Sequence, residues 1–361
     1  MDHRPNKYQI RWLVLLFVLP VFVACGQPAK DIQVDDSKSL EKRFGTMLDV
    51  PNAPGKIGAD VDSIPLGLAK LPENLLAKVT VERVELGKKL FFDPGLSRDG
   101  TIACATCHRP ENGFASLQKL AVGIDGKMGT RNSPSLFNRA YGKSFFWDGR
   151  AATLEEQSLQ PIESETELGN TLSAVMAYLK SDSDYQRRFE AAFGSKDSIQ
   201  KENLAIALAC FQLTLLKGDS RVDRFQAGQG ADQLTDVEKH GLWLFEGKGG
   251  CWKCHSGANY SDEKFHDTGI KADASHVDYG RFDATRNEAD RFRFKTPTLR
   301  GVAKTGPFMH NGSINTLREV VEFYDRGGDR RHEGISEKIR PLNLSKEEID
   351  ALVAFLKALS E

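Results

Sequence analysis

Two segments constrain this chain more than any other feature: Cys104-Ala105-Thr106-Cys107-His108 and Cys251-Trp252-Lys253-Cys254-His255. Both are C-x-x-C-H, a spacing read as c-type haem attachment. Two thiols add to the two vinyl groups of one porphyrin, and the adjacent imidazole reaches the iron from the proximal side. A zinc site uses the same residue types but needs four ligands gathered from both motifs. A redox C-x-x-C is usually followed by Pro or Lys, not by His in both copies. The pair therefore predicts two covalently bound haem c groups, one on Cys104, Cys107 and His108, the other on Cys251, Cys254 and His255.

The N-terminus carries a targeting pattern. Arg4, Lys7 and Arg11 form a basic region, and Trp12 to Ala24 is an unbroken apolar run. A bilayer span needs about 20 residues, so the run is too short to cross a membrane and has the form of a secretory core. Residues 1–24 are expected to be a signal peptide of lipoprotein type. Phe22-Val23-Ala24-Cys25 resembles a lipoprotein cleavage box, with Phe22 where leucine is usual, which makes Cys25 the acylated residue. The expected location is the periplasm, with a lipid anchor to a membrane; ordinary cleavage nearby is the alternative. Residues 26–60 are polar and rich in Gly and Pro, and 25–70 is read as a flexible tether. The charge balance of 49 − 50 = −1 gives no support to nucleic-acid binding.

The motif flanks repeat. Aligning Gly87 with Gly241 also aligns Leu90 with Leu244 and Phe91 with Phe245. Thr235 with Glu238 and Ser345 with Glu348 form capping boxes that open helices. The last helix is amphipathic, with Ile349, Leu352, Val353, Phe355, Leu356 and Leu359 at helical spacing. Each half reads as a helix, a haem loop and helices closing over the ring. No sustained period-2 alternation is present, so the expected fold is mainly α, two cytochrome c-like haem domains in tandem with long loops. A Gly-rich polar stretch at 218–231 separates the halves, giving an N-terminal haem domain over 71–225 and a C-terminal one over 226–361. Cys210, in an apolar helical stretch, is read as a buried, unpaired core residue.

The ligand inventory is asymmetric. No histidine lies between His108 and His240, so the first domain offers its own haem no second imidazole. Met128 sits in a Gly-rich loop that could swing toward this iron, against an alternative role in packing. A five-coordinate first haem leaves a side where a small molecule binds.

Residues 86–361 resemble the bacterial di-haem cytochrome c peroxidase and MauG family. The resemblance rests on Arg131-Asn132-Ser133-Pro134-Ser135-Leu136, Phe146-Trp147-Asp148-Gly149-Arg150-Ala151, Glu167-Leu168-Gly169, Thr296-Pro297-Thr298-Leu299-Arg300 and Pro307-Phe308-Met309-His310-Asn311-Gly312, in family order. It implies that the first domain is peroxidatic and the second transfers electrons. Glu167 matches the distal acid, in keeping with the need for one group to take and return a proton during peroxide cleavage. Trp147 matches the tryptophan between the haems. The resemblance also implies a calcium ion held by Asn132, Thr305 and Pro307, oxygen donors suited to a hard cation. His310 is expected to support a propionate or the inter-haem network.

Two departures shape the expectation. Peroxidases of the family hold a displaceable histidine before Arg131-Asn132, where this chain has Val122-Gly123-Ile124-Asp125-Gly126-Lys127-Met128. The methionine ligand of their second haem is replaced by Tyr324, the MauG pattern, with Met309 as a competing ligand. Thioether ligation raises a haem potential; a phenolate favours ferric and higher states.

The leading expectation is an oxidoreductase that reduces hydrogen peroxide to water with electrons from a small cytochrome c or cupredoxin. The alternative is MauG-like oxidation of a partner protein's residues through a high-valent di-haem state. A third reading is a non-catalytic di-haem electron carrier.

Overall fold

The computed structural model describes residues 64–271, 277–329 and 334–361. The signal peptide, Cys25 and tether residues 25–63 lie outside the described residues. The longer helices are α1 (Val81–Phe91), α2 (Leu154–Glu163), α3 (Leu172–Ser181), α4 (Ser183–Phe193), α5 (Lys201–Leu213), α6 (Arg221–Gln226), α7 (Asp236–Glu246), α8 (Leu317–Asp325) and α9 (Lys346–Ala358). Among the described residues the only sheet is a two-residue pair, β1 (Phe265–His266) antiparallel to β2 (Phe294–Lys295). The fold is mainly helical, as the sequence leads one to expect.

Two helix crossings organise the core, and they are copies of one another. Helix α1 packs on α5, and α7 packs on α9. At the first crossing a Cβ on Gly87 would lie 1.9 Å from the Ala207 carbonyl oxygen. At the second, a Cβ on Gly241 would lie 2.0 Å from that of Ala351. Only glycine lets the backbones approach this closely. One turn on, Phe91 tilts against Phe211 with ring centroids 5.1 Å apart, and Phe245 against Phe355 at 5.0 Å. The aligned residues of the sequence repeat thus occupy equivalent places in two separate cores.

The expected caps form. Thr235 accepts from the Glu238 amide and Ser345 from that of Glu348, each in a reciprocal capping box. Thr316 and Glu319 build the same device at the start of α8, which positions Tyr324. Cys210 is buried on α5, unpaired, its thiol near the Lys78 carbonyl at 3.3 Å.

Residues 64–70, expected to belong to the tether, are part of the folded structure. Ile64 and Leu68 lie against the core formed by Leu71, Phe145 and Leu213. The Gly67 carbonyl accepts from Arg300 at 2.8 Å, and the Leu66 carbonyl from the Asp219 amide. Arg300 is fully buried and paired bidentately with Asp223, at 2.7 and 2.9 Å. Ile64, Leu66, Leu68 and Leu71, in a segment whose single charged residue is Lys70, supply the anchor.

Candidate active site

The two C-x-x-C-H segments open onto one continuous cavity of about 730 Å³. His108 donates through Nδ1 to the Phe114 carbonyl at 2.9 Å, and His255 to the Tyr260 carbonyl at 3.0 Å. Phe114 and Tyr260 both adopt left-handed backbone, with φ of 55° and 47°, which turns each carbonyl back onto its imidazole. The same atom of each ring is therefore spoken for, and Nε2 is left to act as a ligand. Burial holds both imidazoles below the usual histidine range, in the neutral form a metal requires. The four motif cysteines are not paired as disulfides, and burial pushes the Cys104 and Cys251 thiols up to about 12. Free thiols, oriented imidazoles and a shared cavity fit two covalently attached haems.

Helix α2 builds the wall of the first half. Thr153 caps it, and Leu154, Gln157, Ser158 and Pro161 turn one face toward the cavity. Beyond its end the chain folds back tightly. The Glu167 amide donates to Ser164 at 3.0 Å, Leu168 to the Pro161 carbonyl at 3.1 Å, and the Glu167 carbonyl accepts from Ile124 at 2.9 Å. This turn separates three acids that look alike in sequence. Glu163 and Glu165 are exposed, and Glu165 pairs with Lys127 at 2.9 Å. Glu167 faces the cavity instead, near enough to the Cys104 and Cys107 thiols to raise their pKa values. Burial lifts the Glu167 carboxyl above the ordinary range, opposed by Arg150 and a bond to Ser164.

Trp147 lies where the halves meet. Its indole donates to the Asn132 carbonyl at 2.9 Å, and its own carbonyl accepts from Lys295 at 2.8 Å. Beneath it Asp148 is held by Arg131 at 2.6 Å and Arg150 at 3.0 Å, and Arg131 reaches on to Asp278 at 2.6 Å. Asn132, Thr305 and Pro307 line the same cavity. The Asn132 side-chain amide donates to the Gln118 carbonyl at 2.9 Å.

In the second half, Tyr324 projects from α8 into the cavity, and burial together with the nearby Cys254 and Cys251 sulfurs raises its pKa. Met309 lines the cavity too and packs in the same small cluster as Tyr324. His310 stacks on Phe294 with ring centroids 3.5 Å apart and planes at 8°. Met128 is different: it is 63% exposed and does not line the cavity. The loop that carries it is pinned, since the Gly123 amide donates to Lys127 at 2.8 Å and Ile124 to Glu167. Cys254 also lies near Asp262 and His266, but its thiol belongs to the haem motif and the other two pair with each other at 2.8 Å.

The two C-x-x-C-H triplets, Asn132, Trp147, Glu167, Thr305, Pro307, Met309, His310 and Tyr324 line this one cavity, and Met128 does not. Sequence reasoning passed over Gln157 and Pro161. Their spacing from Leu154 along one helical face was the available signal.

Comparison with known proteins agrees with this geometry. Residues 81–231 match the family described as di-haem cytochrome c peroxidase, and residues 240–360 match cytochrome c. The methylamine utilization protein MauG of Methylorubrum extorquens is 40% identical over 281 residues, covering 78% of this chain and 79% of that protein. The chain belongs to the di-haem cytochrome c peroxidase and MauG family. Cytochrome c551 peroxidase of Nitrosomonas europaea is 34% identical over 309 residues, covering 84% and 88%. The crystal structure of a MauG-like protein associated with microbial copper homeostasis superposes with a TM-score of 0.74 at 29% identity, covering 87% of this chain and 95% of that one. The di-haem peroxidase BthA of Burkholderia thailandensis superposes at 0.69 and 25% identity, covering 78% and 87%. Membership of this family implies two haem c groups, one for each C-x-x-C-H motif.

Proposed function

We propose that the protein is a di-haem c-type peroxidase, reducing hydrogen peroxide to water with two electrons from a small cytochrome c or cupredoxin. One observation carries the reading: Glu167 and Asp148 are the only carboxylates lining the cavity among the described residues, and Asp148 is locked to two arginines. Of these two carboxylates, Glu167 is the one outside such an ion pair and placed to move a proton. The bound haem supplies an iron at which peroxide is held and electrons are delivered. Glu167 takes the proton from one peroxide oxygen and returns it to the other as the O–O bond breaks. Two electrons and two protons per peroxide then yield two waters. Trp147, fixed at both its indole and its carbonyl, bridges the halves. Tyr324 would serve as a ligand to the second haem's iron, and Asn132, Thr305 and Pro307 would offer oxygens to a calcium ion. We assign the peroxidatic role to 71–225 and electron transfer to 226–361, in a periplasmic protein anchored through acylated Cys25.

Tyr324, in place of the peroxidases' methionine, favours a second reading, MauG-like oxidation of a partner protein. A steady-state assay of the holoprotein with hydrogen peroxide and reduced cytochrome c separates the two. Cytochrome oxidation in step with peroxide loss supports the first; no cytochrome oxidation by protein that still reacts with peroxide overturns it.

A further inference from the structure

Glu263 is sandwiched between two cations in the interior. Its Oε1 accepts from Arg139 at 3.2 Å and its Oε2 from Lys295 at 3.2 Å. Arg139, Glu263 and Lys295 are 9%, 7% and 6% exposed. The three charges leave an excess of +1 where water cannot screen it, a situation proteins resolve with a counter-ion or by losing a proton. Glu263 cannot supply more, because it also accepts from the Lys143 amide and the Ser261 hydroxyl, each at 3.3 Å. Meanwhile the buried Arg139 Nε has no partner.

The cluster meets the cavity through its two cations. Arg139 and Lys295 line it, whereas Glu263 does not. Arg139 follows the Pro134 segment that backs His108, and Lys295 precedes the Pro297 segment that backs His255. Both cations thus stand on the wall shared by the two haem pockets.

We propose that Arg139 and Lys295 form a buried cradle for a haem propionate, which supplies the missing negative charge. The inference rests on the reading that haem c occupies both motifs. The propionates are the anionic groups of haem c, and thioether bonds to the motif cysteines fix where they fall. Without such an anion, burial and the Arg139 charge push Lys295 down to about 7, and the site would shed its proton near neutrality. With it, the excess positive charge of the cluster is neutralised.

A buried cation beside the propionate disfavours the ferric state, which carries one more positive charge. The test is spectroelectrochemical titration of the holoprotein, after pyridine haemochrome analysis confirms two haems per chain. Lys295→Met should lower the midpoint potential of at least one haem by a factor of ten or more in the reduction equilibrium, 59 mV for one electron. Glu263→Gln should raise it, and Lys295→Arg should leave it unchanged. Shifts of the same sign in Lys295→Met and Glu263→Gln, or none of that size, overturn the proposal. A crystal structure of the wild-type holoprotein decides it even if a variant loses haem. A propionate oxygen within hydrogen-bond distance of the Arg139 guanidinium or Lys295 Nζ supports the cradle; a water or chloride there overturns it. Fewer than two haems in the wild type would count against the di-haem reading itself.

Discussion

Replacing Glu167 with glutamine should slow peroxide turnover strongly while sparing the fold. The change is isosteric, so the turn held by Ser164, Pro161 and Ile124 survives. What is lost is a group that accepts and returns a proton. A positioned acid–base group contributes about 10² to 10⁴ in rate, or about 2.7–5.5 kcal/mol of barrier. The structure argues for the upper half of that range, because no substitute is at hand. Asp148 is tied to Arg131 and Arg150, His266 to Asp262, and His310 is stacked on Phe294. The assay is kcat/KM for hydrogen peroxide, followed by oxidation of reduced cytochrome c, with absorbance spectra showing both haems retained. Because burial raises the Glu167 pKa, the wild-type acid limb should lie above the ordinary glutamate value of 4.5. Activity should fall as pH drops through that raised pKa, where the carboxylate becomes protonated. The variant should lose this limb. Turnover within tenfold of wild type, or a limb that persists in Glu167→Gln, would refute the assignment.

Tyr324→Phe should change the absorption and EPR signals of one haem only, the one on Cys251 and Cys254; a change confined to the other haem would contradict the placement of Tyr324. Met128→Ala should leave the resting spectrum and the reaction with peroxide unaltered, since Met128 is solvent-exposed; appearance of a new high-spin signal would show that it ligates iron. Gly241→Ala drives a Cβ to 2.0 Å from the Ala351 carbonyl. Overpacking of about 1–3 kcal/mol outweighs the gain of about 1 kcal/mol in helix propensity, so denaturant unfolding should show a net loss. Asp223→Asn strips the buried Arg300 of its partner and should cost about 3–5 kcal/mol in the same measurement. Pairing with Arg300 lowers the Asp223 pKa, so its contribution is present at neutral pH and fades only as pH falls through that lowered value.

The motif cysteines, the proximal histidines, the helix caps and the repeat of Gly87 in Gly241 were legible because each depends on short-range spacing. The reason the two glycines align was not. It lies in Ala207 and Ala351, more than a hundred residues away from their partners in each case. Glu167 shows the same limit. Glu163, Glu165 and Glu167 look like one solvated run, and only the fold-back onto Pro161 and Ile124 turns the last of them inward. The buried charges at Arg139, Glu263 and Lys295 were invisible for a related reason, since their partners come from segments separated by 124 and 32 residues. The anchor at 64–70 was hidden by its neighbours, whose composition is that of a linker.

The duplicated crossing has an engineering consequence. From the crossing glycine to the first thiol the chain runs 104 − 87 = 17 residues in one half and 251 − 241 = 10 in the other. Yet each motif imidazole ends up clasped by a carbonyl from a left-handed residue just downstream. The proximal side is a standard socket that tolerates different lead-ins. What distinguishes the halves is the lid opposite: α2 and the Glu167 turn over one socket, α8 with Tyr324 over the other. On the roles proposed for Glu167 and Tyr324, a graft of residues 154–170 onto the second half, or of 317–325 onto the first, should move those roles between the haems while leaving both attachment motifs intact.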